Sequence, residues 1–147
     1  MFKHILIPVD GTEFSDRAID AGVRFAKSVN ARITGFIAEP EYKQPTHSEI
    51  ISRTAVSMYE HADEVRAHAQ GVLQRIAARA AAEDVPYDSA FVENDRPVDA
   101  IVDAAEKHQC DLILMASHGR HGLDKLLHGN AAQGVVSHTK IPVLVMH

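Results

Sequence analysis

The sequence predicts an α/β fold: one open, mainly parallel five-stranded sheet with helices on both faces. Three observations lead there. Short apolar or alternating runs at residues 5–9, 33–38, 87–93, 112–115 and 142–146 are separated by stretches whose apolar residues recur at helical spacing. The run 112–115 is apolar without interruption, as a strand buried on both faces must be, and such strands belong to parallel sheets. The 147 residues suit a single domain, 1–147, and a chain of that size buries roughly 68–70% of its unfolded surface without staples. Right-handed crossovers restrict the strand order to a few options, and a ligand is expected beyond the carboxyl ends of the strands, where that order reverses.

The first strand, 5–9, ends at Asp10-Gly11, a turn signal. Ser15 can cap the next helix, whose stripe is Ala18, Gly22, Phe25 and Val29, with Ile19, Val23 and Ala26 beside it. Asn30-Ala31 closes that helix before the second strand, 33–38. Pro40 and Pro45 then bar helix from the polar segment 39–45. A long stripe follows through Ile51, Ala55, Met58, Ala62, Val65, Ala69, Val72 and Ile76. As one helix, residues 48–82 would span about 50 Å, more than strands of five or six residues can cover. Its first turns are therefore expected to break, protrude or be mobile. The stripe is expected to pack on the sheet, and a partner surface is the alternative, since helix beyond the sheet would otherwise expose Ile50 and Ile51.

Val85-Pro86 ends that helix. Residues 87–93 alternate as a half-exposed strand does. Pro97 suits a first helical position, with Val98, Ile101, Val102 and Ala105 facing inward. After the fourth strand, Asn130-x-x-Gln133 resembles a capping box that opens the last helix. Pro142 suits a strand start or an edge.

Composition excludes several classes. Hydrophobic residues make up 46% and charged residues 24%, as in ordinary globular proteins. A net charge of −5 argues against a nonspecific grip on nucleic acid. Cys110 is the single cysteine, so no intrachain disulfide can form, and it reads as a buried structural thiol. No run approaches the ~18–20 apolar residues of a membrane span, and the N-terminus has no signal-peptide pattern, so a cytoplasmic location is expected.

The chemistry concentrates after the fourth strand. Gly119, Gly122 and Gly129 punctuate a polar loop between a buried strand and a helix. Glycines there let backbone N–H groups approach a ligand, and the helix N-terminus adds partial positive charge, so the loop suits a phosphate. It matches neither G-x-x-x-x-G-K-[ST] nor G-x-G-x-x-G, and turn glycines joining a strand to a helix are the plainer alternative. His61, Glu64 and His68 lie near one helical face, and His118, His121 and His128 crowd the loop. No H-x-x-x-H or H-E-x-x-H spacing occurs, so these read as solvated or pH-sensitive histidines rather than metal ligands.

The whole chain resembles a universal stress protein domain. The resemblance is carried by Ile5-Leu-Ile-Pro-Val-Asp-Gly-Thr12, Leu114-Met-Ala-Ser-His-Gly-Arg120, Gly122-Leu123, Leu126-Leu127-His-Gly129 and Pro142-Val-Leu-Val145. It implies an adenine-nucleotide alpha-hydrolase-like sheet of order 3-2-1-4-5, and a homodimer paired through the C-terminal strand. ATP-binding members carry G-x2-G-x9-G-[ST] after strand four. Here those positions are Ala116, Gly119, Gly129 and Asn130, so two of the four depart. Ala116 costs roughly 1 kcal/mol if its φ is positive and almost nothing otherwise. Asn130 loses the hydroxyl but keeps an amide donor and caps well.

The same resemblance implies a nucleotide bordered by Pro8, Val9 and Asp10, with Ile37 meeting the adenine largely through backbone. Met115, Ala116, His118, Gly119, Gly129, Asn130 and Ala131 would line the ribose and phosphates. Asp10 would hold ribose hydroxyls or a Mg²⁺ carried by the phosphates; its alternative is a turn-forming Asp bonded to its own backbone. Arg120 and Lys125 could steer phosphate or be merely solvated. Three readings follow. The first is a cytoplasmic stress-response dimer that signals by occupancy with ATP or another adenine nucleotide, recruiting a protein partner not identified by sequence. Binding would bias the glycine loop and the segment near Pro45 between open and ordered states. The second is a nucleotide-free interaction module, favoured by Ala116 and Asn130. The third is a slow ATP hydrolase using Asp10 or His118, for which nothing in the sequence aims a base at water.

Overall fold

A computed structural model describes residues 1–10, 14–116 and 131–146, with backbone alone at 14 and 15. Five strands form one sheet: β1 (His4–Pro8), β2 (Arg32–Glu39), β3 (Tyr87–Glu93), β4 (Leu112–Ala116) and β5 (Val143–Met146). Their order is β3-β2-β1-β4-β5, and every pairing is parallel. The helices are α1 (Phe14–Val29), α2 (His47–Ser52), α3 (Met58–Ala82), α4 (Pro97–Lys107) and α5 (Ala131–His138). The helix α1 already begins at Phe14, so Ser15 lies inside its first turn and is not the expected cap, while Asn130 of the expected capping box lies outside the described residues.

Alternation along the strands creates two cores. Ile5, Ile7, Ile33, Ile37, Leu112 and Leu114 face one side, where α1 and α3 cover them with Ile19, Val23, Val72 and Ile76. Leu6, Phe36, Ile113 and Met115 face the other, under Ile101 and Ala105 of α4 and Val135 of α5. Gly22 lets α1 close on the sheet: a Cβ there would stand 2.8 Å from Ile7 Cδ1. Cys110 is buried in the second core, and burial pushes its thiol up to about 11. Among the described residues, no helix is long and apolar enough to cross a membrane.

The long helical stripe does break. Thr46 and Glu49 form a reciprocal capping box for α2, and Arg53, left-handed at φ 58°, ends it. Ser57 then caps α3. At 1.5 Å per residue α3 is about 37 Å long, and its buried residues begin only at Val65. Its first two turns and all of α2 therefore overhang the sheet. Ile50 and Ile51 are exposed as expected, at 56% and 69%.

β3 is a more exposed edge than its alternation suggests. Tyr87 and Ala90 are half-buried, while Phe91 and Val92 both stand open to solvent.

Candidate functional site

The strand order reverses between β1 and β4. These neighbours pair only at Ile5 with Leu112 and Leu6 with Ile113. Beyond that point β1 stays with β2 as far as Pro8, and β4 stays with β5 as far as Ala116. Pro8 has no N–H to extend a ladder. The two halves of the sheet therefore part at their carboxyl ends, and a cleft of about 400 Å³ opens there. That volume lies within the usual range for small-molecule sites, and the place is the one where parallel sheets hold ligands.

Sequence reasoning named eleven nucleotide-site positions. Pro8, Val9 and Asp10 line the cleft from the end of β1, and Ile37 lines it from β2. Met115 and Ala116 line it from β4, and Ala131 from the first turn of α5. His118, Gly119, Gly129 and Asn130 lie outside the described residues, as do Arg120 and Lys125.

Backbone directions sharpen the role of β2. In a parallel ladder the N–H and C=O of one residue point to one neighbouring strand, and those of the next residue to the other. Val9 N donates to Phe36 O at 2.8 Å, so Phe36 faces β1. Asn94 N donates to Glu39 O at 2.8 Å, so Glu39, like Ile37, faces β3. Ala38 therefore turns its N–H and C=O toward β1, which has already ended at Pro8. Among the described residues no bond from Ala38 N to Val9 O continues the ladder, and Ala38 lines the cleft. The polar backbone edge here belongs to Ala38, one residue past the expected Ile37.

Several lining residues carried no local signal. Glu39 is the last residue of β2, yet its side chain is only 6% exposed. His68 of α3 meets it, with Nδ1 2.6 Å from Glu39 Oε1. Asn94 and Asp95 come from the β3–α4 turn; their Oδ1 atoms accept from Arg96 N at 2.8 Å and Glu41 N at 3.1 Å. Pro97 and Ile101 of α4 complete an apolar wall. The turn was detectable in principle: all strands are parallel, so every β–α turn lies at the same edge of the sheet. The Glu39–His68 contact was not, because it joins residues 29 apart.

His61 and His68 do not form a joint centre with Glu64. His61 Nε2 lies 3.0 Å from Pro40 O and 3.3 Å from Glu93 Oε1, while His68 goes to Glu39. Among the described residues, no group of three or more His, Cys, Asp or Glu is arranged to hold a metal ion.

A wider depression of about 1120 Å³ wraps the β3 edge, lined by Gln70, Gln74, Phe91, Asp103 and Lys107 among others. It is large because β3 is uncovered, and its lining comes from helices on opposite faces of the sheet. The reversal-point cleft is the chemically organised one.

The family model described as the universal stress protein family matches residues 1–147. A universal stress protein of Thermus aquaticus is 31% identical over 150 residues, covering 99% of each chain. A universal stress protein solved in complex with cAMP superposes with a TM-score of 0.72 at 22% identity, covering 99% of this chain and 97% of that one. A universal stress protein family member from Arabidopsis thaliana, solved with AMP bound, has a TM-score of 0.67 at 13% identity, covering 98% and 90%.

Proposed function

This chain belongs to the universal stress protein family, and from that premise we propose that the cleft at its strand reversal binds an adenine nucleotide. The parting of β1 from β4 over Asp10, Ala38, Met115 and Ala131 is the observation that carries this reading. The base lies against β2, where Ala38 offers a carbonyl acceptor beside an amide donor. Adenine presents the complement, an amino donor beside a ring-nitrogen acceptor. The apolar wall of Ile101 and Pro97 supplies contact area for the ring. The ribose lies near Asp10. The phosphates run toward the start of α5, whose leading N–H groups and partial positive charge favour anions, and toward Gly119, Gly129 and Asn130.

Electrostatics bear on which nucleotide is held. Asp10, Glu39 and Asp95 put three carboxylates into the described lining, with His68 as its sole basic side chain. A polyphosphate needs a compensating cation against that wall. ATP would therefore need Mg²⁺ to offset its phosphate charge, with Asp10 the carboxylate that would help hold the ion, whereas a monophosphate would need none. The protein acts by occupancy, as a cytoplasmic stress-response homodimer joined along β5, with turnover slow or absent. The half-buried residues of this short edge strand support that pairing.

A nucleotide-free interaction module is the second reading, favoured by the Ala116 methyl on the cleft wall and by the acidity of the lining. Calorimetric titration with AMP, and with ATP in the presence and absence of Mg²⁺, decides between them. One-to-one saturable heat supports the first. Bound ligand at 100 times its Kd also adds about 2.7 kcal/mol of stability, visible as a higher Tm. No heat and no shift at millimolar nucleotide supports the second.

A further inference from the structure

We propose that Glu39 sets base specificity in this cleft, accepting a hydrogen bond from the exocyclic amino group of a 6-aminopurine and rejecting 6-oxopurines. The proposal rests on the nucleotide reading above and names a determinant within it.

Glu39 is the anomaly of the cleft. The residue is 4% exposed, and the described core holds only two other buried polar residues, His4 and Thr34. An ionised carboxylate withdrawn from water is costly unless hydrogen-bonded. His68 provides one bond, Nδ1 to Oε1 at 2.6 Å. A carboxylate has about four lone-pair sites and, when ionised, only accepts, so among the described residues one histidine leaves most of that capacity unused. The histidine cannot be the reason for the acid, since its own side chain is 53% exposed and well solvated. A metal is no better reason, because no cluster of ligating side chains surrounds the pair among the described residues.

Position supplies the reason. Glu39 follows Ala38 directly, and both line the cleft. A 6-amino group has two N–H donors. One meets the Ala38 carbonyl; the second is left for the Glu39 carboxylate. A 6-oxo group would set its lone pairs against both acceptors. A site built around a buried acceptor rejects the ligand that lacks the donor far more strongly than an apolar pocket could.

The test compares AMP, IMP and purine riboside 5′-monophosphate by calorimetry on the full chain, with Glu39→Gln and Glu39→Met as variants. The unmodified protein should prefer AMP over IMP by about 10²-fold. In Glu39→Gln the amide can turn its N–H₂ to a 6-oxo group, so the ratio should fall by about tenfold, with IMP gaining affinity while the Ala38 carbonyl and amide still favour AMP. In Glu39→Met the ratio should fall through loss of AMP affinity alone. A measurement independent of either variant's folding is purine riboside monophosphate on the unmodified protein, which should bind at least about tenfold more weakly than AMP. A preference undiminished in both variants overturns the role of Glu39 and leaves the cleft reading standing. AMP bound no better than IMP or the riboside monophosphate overturns the role of Glu39 and the docking of the base on Ala38 together, with nucleotide binding in the cleft left standing. Failure of the unmodified protein to bind any of the three overturns both.

Discussion

Replacing Ala38 by proline tests the backbone geometry at the heart of the site. Proline removes one N–H and fixes φ, so it is tolerated in a sheet only where that N–H is outside the ladder. The structure puts Ala38 in that situation: the β1–β2 ladder ends with Val9 N donating to Phe36 O, and the bonds to β3 come from Ile37 and Glu39. The stability cost should then stay near 1 kcal/mol. At about 2.1 cal/mol/K per residue, a chain of 147 residues has an unfolding entropy of about 0.31 kcal/mol/K, so Tm should fall by about 3 °C. Ile37→Pro is the contrast. It removes a ladder bond to β3 and a side chain only 2% exposed. That costs about 3 kcal/mol for the backbone and about 2 more for the lost apolar contact, a fall of roughly 15 °C or outright unfolding. For AMP, Ala38→Pro leaves the adenine ring nitrogen without a donor and sets a ring methylene against it. Affinity should drop between about tenfold and 10²-fold. Thermal melts by circular dichroism and calorimetry with AMP read both quantities. If Ala38→Pro is as damaging as Ile37→Pro, the amide belongs to the ladder and the orientation argument is wrong. If it folds and binds AMP unchanged, the base docks elsewhere.

Asp10→Asn should abolish the gain that Mg²⁺ gives to ATP binding while leaving AMP affinity within about threefold, as read by paired titrations; an intact Mg²⁺ effect removes Asp10 from the cation's coordination. Gly35→Ala should destabilise by about 2 kcal/mol, because the new Cβ would lie 2.6 Å from Tyr87 Oη and 2.9 Å from Ile76 Cδ1, threatening the Tyr87 hydroxyl bond to Leu73 O. The penalty should shrink in a Tyr87→Phe background, and an unchanged penalty in that double-mutant cycle refutes the clash. His4 is buried, with Nδ1 unpartnered among the described residues; burial first, then the charge of Arg32, holds its pKa below the usual 6.5. The unfolded chain therefore binds the proton more readily, so stability is full above about pH 6.5 and declines below it, by at most about 1.4 kcal/mol per pH unit for this one group. Denaturant titrations at pH 7 and pH 5 should show His4→Gln losing less stability than the parent, and equal losses refute the assignment.

Much of the fold was legible because it is written locally. The period-2 and uninterrupted apolar runs mark strands within one or two residues of their observed limits, and β3 falls at 87–93 in both. Even the break ahead of α3 followed from length, since an unbroken helix would have overrun the sheet. The candidate site was legible where it follows the strand ends, at Pro8 to Asp10 and at Met115 and Ala116. It was not legible where the contact is long-range. Glu39 reads as the first residue of a polar loop until the fold withdraws it from water against His68. Ile37 was expected at the base because the family resemblance implies that the end of the second strand meets the adenine. Only the hydrogen bonds on either side show that Ala38 carries the edge facing the cleft.

The amino-acid order alone determined the elements, their parallel arrangement and the edge of the sheet where a ligand belongs. These follow from periodicity and turn chemistry, which act over a few residues. The tertiary structure decided how far β1 and β4 stay together, which backbone amide is left over when they part, and which acid is buried beside it. Those depend on pairing register and on contacts between residues tens of positions apart, which no local pattern encodes.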